Sequence, residues 1–383
     1  MMKVQKYLSE HGLEKLQEEF SIMVTDYPDR VVLNYNQIDS PRFHPICCEC
    51  RALILCKTDW SVMARSFDRF FNVGEGETWS NFDISHARIY EKLDGSLISL
   101  YWDGAEWCSA TRKMAFGEGQ TYSGQTFAEL FNMAKGLTTL DSALEGCQMK
   151  EYTWVFELTG PFNRVVKPYA ATSLTLLGAR HNQSGWELID EELAHAADEM
   201  NVARPKVYEA SSFEEVVELA ESLPTMDEGF VMVCENSTGS HSRLKCKNSK
   251  HVAIAHMREN GGVPTAKNIL HLVMANEQHE YLCHFPEDQK VFDLVEKVYA
   301  EVIRETEELW EEAKGIEDQK EFAMTIMPRV KRKFESGILF SIRKNGTTVP
   351  EELSKIGAKK LAKMLSLKEQ VMKTLGVTLE EDA

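Results

Sequence analysis

The residues whose types and order could do chemistry in this chain are one lysine, two glutamates and a later pair of lysines. Lys92 lies in Tyr90-Glu91-Lys92-Leu93-Asp94-Gly95-Ser96, Glu157 lies in Thr153-Trp154-Val155-Phe156-Glu157-Leu158, Glu228 precedes Gly229, and Lys245 stands two residues before Lys247. A lysine amine attacks only after losing its proton, and its ordinary pKa is ~10.4. A nucleophilic lysine therefore needs burial or nearby cations to lower that value. Lys245, Lys247 and a metal ion are the groups that could do this for Lys92. Lys-x-Asp-Gly alone is a pattern that chance supplies often, so the reading rests on the ordered set.

Positioning these groups requires strands. Two short β-type runs, 97–101 and 105–110, are joined at Asp103-Gly104 just behind Lys92. A lysine held by stiff strands beside a tight glycine turn has its amine aimed and the adjoining backbone open to a ligand. Strands are also predicted over 30–35, 52–56, 61–67, 153–158 and 174–180, with a hairpin of 229–234 and 242–247. Alternation places Lys245 and Lys247 on one face of the last strand. Apolar spacing predicts helices over 3–25, 123–135, 189–200 and 212–222. From 264 onward β-type runs nearly vanish, and helices are predicted over 291–303, 318–335 and 350–375. The shift divides the chain into domains 1–255 and 256–383, with a break near Gly261-Gly262-Val263-Pro264.

Composition bounds the function. The 383 residues are 43% hydrophobic and 27% charged, which suits a soluble globular chain with a substantial core. A net charge of −17 argues against a protein that coats nucleic acid nonspecifically, and leaves room for a local basic groove. The charged helical start and the lack of a long apolar run lead us to expect a soluble, cytoplasmic protein with no membrane partner. Nine mostly scattered cysteines suit reduced thiols. Cys47-Cys48-Glu49-Cys50 lacks a second close ligand pair and reads as a strand with buried thiols rather than a zinc site. The stretch Gly119-Gln120-Thr121-Tyr122-Ser123-Gly124-Gln125-Thr126 matches a phosphate loop except that Gln125 replaces its lysine, and no β-type run closely precedes it. It is not assigned that role.

Taken in order, Lys92-x-Asp94-Gly95, Phe156-Glu157, Glu228-Gly229 and Lys245-x-Lys247 resemble the covalent nucleotidyltransferase superfamily of polynucleotide ligases and capping enzymes. Three further features resemble the single-strand RNA ligases of T-even phages: Arg65-Ser66-Phe67-Asp68-Arg69-Phe70-Phe71-Asn72, the run from Phe156 through Gly160-Pro161-Phe162-Asn163-Arg164 to Val166, and a helical final third. The motifs cover about 30–255; the tail matches only in character. The resemblance implies an α+β fold, with an N-terminal nucleotidyltransferase domain of ATP-grasp-like antiparallel sheets and helices, then an all-α C-terminal domain that selects RNA.

The resemblance also implies ATP with Mg²⁺ or Mn²⁺. Lys92 would form a lysyl-adenylate, and Lys245 and Lys247 would hold the α-phosphate. Glu157 and Glu228 would orient the ribose or a hydrated metal, with Asp94 as a further metal ligand and Glu91 and Phe71 as nucleotide contacts. AMP would pass to an RNA 5′-phosphate, which the 3′-hydroxyl then attacks, with single-stranded RNA or cleaved tRNA as substrate and a monomer as the working form. Arg51, Arg69 and Arg112 are expected to contact polyphosphate or the RNA 5′ end through the guanidinium fork. Arg69 and Arg112 fall where the phage enzymes have lysines, and His251 falls close to a tyrosine position. The rival readings are a DNA ligase or capping enzyme, which normally carries a β-barrel after the last motif, and a noncatalytic nucleotide- or RNA-binding protein. Arg329, Lys331, Arg332 and Lys333 are candidate RNA contacts in the tail.

Overall fold

The structure, a computed structural model, describes the chain except residues 38, 77–78, 147–148, 237–238, 258–263, 276–277, 279–280, 283–284 and 376–383. Gly261, Gly262 and Val263 of the expected break, and Cys147 and Cys283, therefore lie outside the described residues. The chain divides into two compact units, Met1–Ala253 and Ile254–Ala383.

The first unit holds three sheets. Strands β1 (Ile22–Asp26), β2 (Arg30–Tyr35), β3 (Leu53–Cys56) and β4 (Val62–Ala64) form one in sequence order. A second runs in the order β10-β9-β7-β8, with β7 Ser96–Trp102, β8 Trp107–Ala110, β9 Tyr152–Thr159 and β10 Ser173–His181. A third runs β11-β6-β12-β13-β5, with β5 Phe71–Asn72, β6 Arg88–Glu91, β11 Val207–Tyr208, β12 Gly229–Cys234 and β13 Ser242–Lys247. Among the described residues every strand pairing is antiparallel except β13 with β5.

The period of two in β9 sorts its residues. Trp154, Phe156 and Leu158 are buried in a core shared with Leu130, Phe131 and Ala134 of a helix at Phe127–Lys135, and with Leu193 and Ala197 of another at Asp190–Met200. That sends Glu157 to the opposite face with Val155. Thr126 caps the first of these helices: its side chain accepts from the Glu129 N–H at 3.1 Å, and the Glu129 carboxylate accepts from the Thr126 N–H at 2.7 Å. Such a reciprocal cap contributes about 1 kcal/mol. Phe156→Ala, at a fully buried position, is expected to lower unfolding free energy by about 3–5 kcal/mol in a urea titration.

Several elements differ from the sequence reading. The first helix ends at Phe20, because Ser21 adopts a left-handed φ of 51°, and 22–26 instead pairs with β2 in the register Ile22 to Tyr35. The Cys47–Cys50 segment is not a strand: Pro45–Glu49 forms a short helix with Pro45 opening it, and Cys47 and Cys50 are buried against β2 and β3 residues. Among the described residues no cluster of three or more His, Cys, Asp or Glu could hold a metal.

In the second unit every regular element among the described residues is helical. The expected helix 318–335 is two, Gln319–Ile326 and Lys333–Asn345, with Pro328 in the break. The expected 350–375 is three, divided at Gly357 (φ 81°) and Ser366 (φ 50°). Three of the candidate RNA contacts are held by carboxylates of their own unit: Lys331 and Arg332 by Glu305 at 2.5 and 3.1 Å, and Arg329 by Glu312. No described helix is long and apolar enough to cross a membrane.

Candidate active site

Lys92 follows β6, and its backbone N–H donates to the Gly229 carbonyl at 2.8 Å, which ties it to the first residue of β12. Its Nζ donates to Glu228 Oε2 at 2.6 Å, while Lys247 Nζ lies 2.8 Å from Glu228 Oε1. Glu228 is thus clasped by two lysines, with only 8% of its side chain exposed. Antiparallel pairing explains the meeting: Gly229 faces Lys247 and Val231 faces Lys245 across β12 and β13, and Phe230 faces Glu91 of β6.

The charges respond to this packing. Burial works against the Glu228 charge, yet Lys92 and Lys247 outweigh it and hold the carboxyl down to about 2. Burial also disfavours the Lys92 charge, but Glu228 and Glu157 prevail and raise its pKa above the usual lysine value. The sequence reading expected the opposite direction for Lys92. The cause of the difference is Glu228, which is in direct contact. The lysine whose pKa falls is Lys245: burial first, then Lys247, Lys92 and Arg51, bring it to about 8.

Glu157 reaches the site from the second sheet. Its Oε1 accepts the Gly95 N–H at 3.0 Å. Burial, with Glu228 and Asp94 adding repulsion against the pull of Lys92, pushes its carboxyl up to about 8. A Cβ on Gly95 would lie 2.5 Å from the Leu158 carbonyl oxygen, so only glycine lets this turn sit on β9.

Asp94 does not stand ready as a metal ligand. Its Oδ2 accepts the Val166 and Lys167 N–H groups at 2.6 Å each, and its Oδ1 lies 3.3 Å from His251 Nε2. The His251 contact is close without being aligned as a hydrogen bond, and both His251 ring nitrogens are buried without such a partner. Asp94 therefore fastens the loop after β9 to the Lys92 turn. Glu91 pairs with Lys167 at 3.5 Å, and Lys167 also meets Asp227 at 2.6 Å.

Arg51, Arg69 and Arg112 come together around two aromatic rings. The Arg51 guanidinium lies 5.3 Å from the Phe70 centroid, and Lys245 Nζ lies 5.6 Å from the same ring. Arg69 and Arg112 sit 4.0 and 5.3 Å from the Tyr35 centroid. Arg69 Nη1 and Arg112 Nε are buried without a hydrogen-bond partner. Burial, then Arg112, brings Arg51 down to about 10. Among the described residues no carboxylate pairs with any of the three. Placing cations in a partly or fully buried position without an opposite charge is costly. Phe71 is 6% exposed with its ring 4.8 Å from Phe43, and Phe156 is wholly in the core. A cavity of about 290 Å³ opens beside Arg69, lined by Phe70, Phe71, Phe82 and Arg243 among others.

Sequence reasoning missed Tyr35, Phe70, Lys167 and Tyr169, whose hydroxyl accepts the Asp94 N–H at 3.3 Å. Phe70 lies inside the Arg65–Asn72 motif and Lys167-Pro168-Tyr169 directly continues the Asn163–Val166 run, whereas Tyr35 carries no such local signal.

A family model described as RNA ligase matches residues 49–251. A protein of Autographa californica nuclear polyhedrosis virus named "Putative bifunctional polynucleotide kinase/RNA ligase" is 31% identical over 303 residues, which is 75% of this chain and 42% of that protein. The chain thus spans less than half of that relative. An RNA ligase of Rhodothermus phage RM378 is 24% identical over 318 residues, covering 67% of this chain and 70% of that protein. Among solved structures, an archaeal ATP-dependent RNA ligase aligns with a TM-score of 0.44 and 14% identity over 72% of this chain and 68% of that one.

Proposed function

The chain belongs to the RNA ligase family, and from that premise we propose that it is an ATP-dependent enzyme joining RNA 5′-phosphate and 3′-hydroxyl ends. The observation that carries this reading is the group of Arg51, Arg69, Arg112 and Lys245 around Phe70 and Tyr35, with no carboxylate ion-paired to them among the described residues, in the same unit as Lys92 clasped by Glu228.

In the first step Lys92 Nζ bonds to the α-phosphorus of ATP, the bond to the β-phosphate oxygen breaks, pyrophosphate leaves and the lysine proton goes to water. Lys92 is protonated in its resting pair with Glu228, so that pair must open first. Lys247, already on Glu228 Oε1, offers the carboxylate a second cation when it does. Lys245, Lys247 and the arginines clamp phosphate charge as it builds. AMP then passes to the RNA 5′-phosphate, and attack by the 3′-hydroxyl expels it. Glu157 and Glu228 suit Mg²⁺ or Mn²⁺, which are commonly held by one or two carboxylates with water and phosphate completing the shell. A Glu157 carboxyl raised to about 8 is a buried acid that a cation would ionise. Bound there, the ion would supply phosphate charge neutralisation. Asp94 is left out of this set because its Oδ2 is held by the Val166 and Lys167 N–H groups within the fold, whereas Glu228 frees an oxygen when its pair with Lys92 opens.

The substrate we infer is single-stranded RNA or cleaved tRNA, selected in part by an all-helical domain of 256–383, in a monomeric, cytoplasmic enzyme. Labelled single-stranded RNA with a 5′-phosphate should be sealed in the presence of ATP and Mg²⁺; sealing only of nicked duplex DNA would overturn the reading.

The Lys245 value gives a pH prediction. Above about pH 8 the free protein's Lys245 is mostly neutral, whereas a bound triphosphate favours its charged form. ATP binding should therefore take up close to one proton at pH 9. ATP affinity should fall by up to about tenfold per pH unit above 8. Calorimetry in buffers of different ionisation enthalpy measures the uptake. Lys245→Met should abolish it.

A further inference from the structure

The stretch that imitates a phosphate loop is something else in the structure. Its Thr121 N–H donates to the Gln125 carbonyl at 2.8 Å and its Gly124 N–H to the Thr121 carbonyl at 2.9 Å. Gln120 bridges to Thr126, and Gly124 takes a φ of 81°. These backbone donors, which a phosphate loop would aim at its ligand, are used inside a closed turn. Tyr122 is carried on that turn with 55% of its surface exposed.

The turn is fastened to the loop after β9. The Tyr122 hydroxyl donates to the Pro161 carbonyl, and Ser123 Oγ donates to the Phe162 carbonyl at 3.1 Å. Phe162 is itself 37% exposed. Its neighbour Asn163 donates to the Leu158 carbonyl at 2.8 Å and to Ser96 Oγ at 3.2 Å, and Val166 and Lys167 hold Asp94. Two exposed aromatic side chains, on loops linked by hydrogen bonds, are thereby tied to Asp94 and Ser96, on the C-terminal side of Lys92.

We propose that Tyr122 and Phe162 form a stacking platform for unpaired bases of the RNA beside the ends being joined. The proposal rests on the ligase reading and adds the residues that select single strands. Every base has an apolar face that stacks on an aromatic ring whatever the sequence, and a paired base has that face covered by its neighbours. A large apolar side chain left in water and fixed through its hydroxyl or its backbone, rather than by packing, suits a surface that a base covers. Arg164, two residues beyond Phe162, donates from its Nε to the Val166 carbonyl at 2.8 Å and so holds the same loop.

The test is fluorescence anisotropy with a labelled single-stranded RNA and a blunt RNA duplex, beside adduct formation from ATP labelled at the α-phosphate. Tyr122→Ala and Phe162→Ala should each weaken single-strand binding roughly tenfold. Adduct formation should stay within about twofold, duplex binding should be unmoved, and Phe162→Tyr should bind within about threefold of wild type, since its ring is kept. Wild-type affinity in the double alanine variant would overturn the proposal. So would an equal loss for duplex, or a fall in RNA binding matched by a fall in adduct formation, which would report a collapsed loop. Failure of the ligase reading is visible separately, as a wild-type chain that forms no adduct whatever its RNA affinity.

Discussion

Lys92→Ala is expected to abolish the covalent adduct with AMP, a loss of more than ~10³-fold in its rate of formation, in a protein that remains folded. The fold survives because alanine keeps the backbone bond from residue 92 to the Gly229 carbonyl, and Glu228 keeps Lys247 at 2.8 Å. Lysine serves as nucleophile in the first step only. The variant should therefore still seal RNA supplied already adenylylated at its 5′ end. Denaturing electrophoresis after incubation with ATP labelled at the α-phosphate reads the first result, and a sealing assay reads the second. Arginine cannot replace the lysine, since its guanidinium does not lose a proton near neutral pH.

The second large effect is expected of Gly229→Ala, which touches no reacting atom. Gly229 has a φ of 131°, a conformation that L side chains rarely adopt, and an added Cβ would lie 2.1 Å from the Cys246 carbonyl oxygen and 2.8 Å from Lys247 Cα. Both neighbours are backbone in the paired strand, so neither can step aside as a flexible side chain does. Relief must come from a shift of β12 against β13 at the point where Glu228 meets Lys92 and Lys247. The strain is on the order of 1–3 kcal/mol. A displacement of about 1 Å in a reacting group can cost ~10²-fold in rate. Adduct formation should fall by about that factor, with a smaller loss in urea resistance. Wild-type adduct formation in this variant would mean that the β12–β13 register does not set the Lys92 geometry.

Much of the first unit was legible because its signals are local. The period-two run around Trp154 and Phe156 put Glu157 on the face away from the core, and the alternation that pairs Lys245 with Lys247 is kept in β13. What sequence could not give was contact between distant segments. Glu228 lies 136 residues from Lys92, yet it holds the amine and reverses the expected direction of the lysine's pKa. Asp94 looked like a free carboxylate because nothing in Lys-x-Asp-Gly shows that two N–H groups more than 70 positions later bond to it. Tyr35 and Phe70, the rings that carry the arginines, are ordinary strand and loop aromatics until the sheets pack. The helical spacing over 3–25 runs on past Ser21, where the left-handed backbone ends the helix and 22–26 pairs as a strand.

The central claim is that Lys92 passes AMP from ATP to an RNA 5′ end, so the most direct measurement follows one molecule of RNA through all its states. RNA labelled at the 5′-phosphate and bearing a 3′-hydroxyl is incubated with ATP, Mg²⁺ and either wild-type protein or Lys92→Ala, and the products are resolved by time. The wild-type chain should produce adenylylated RNA first and sealed RNA from it, and Lys92→Ala should produce neither. Sealing by Lys92→Ala at the wild-type rate with ATP, or a wild-type protein that binds ATP and RNA but modifies neither, would contradict the account.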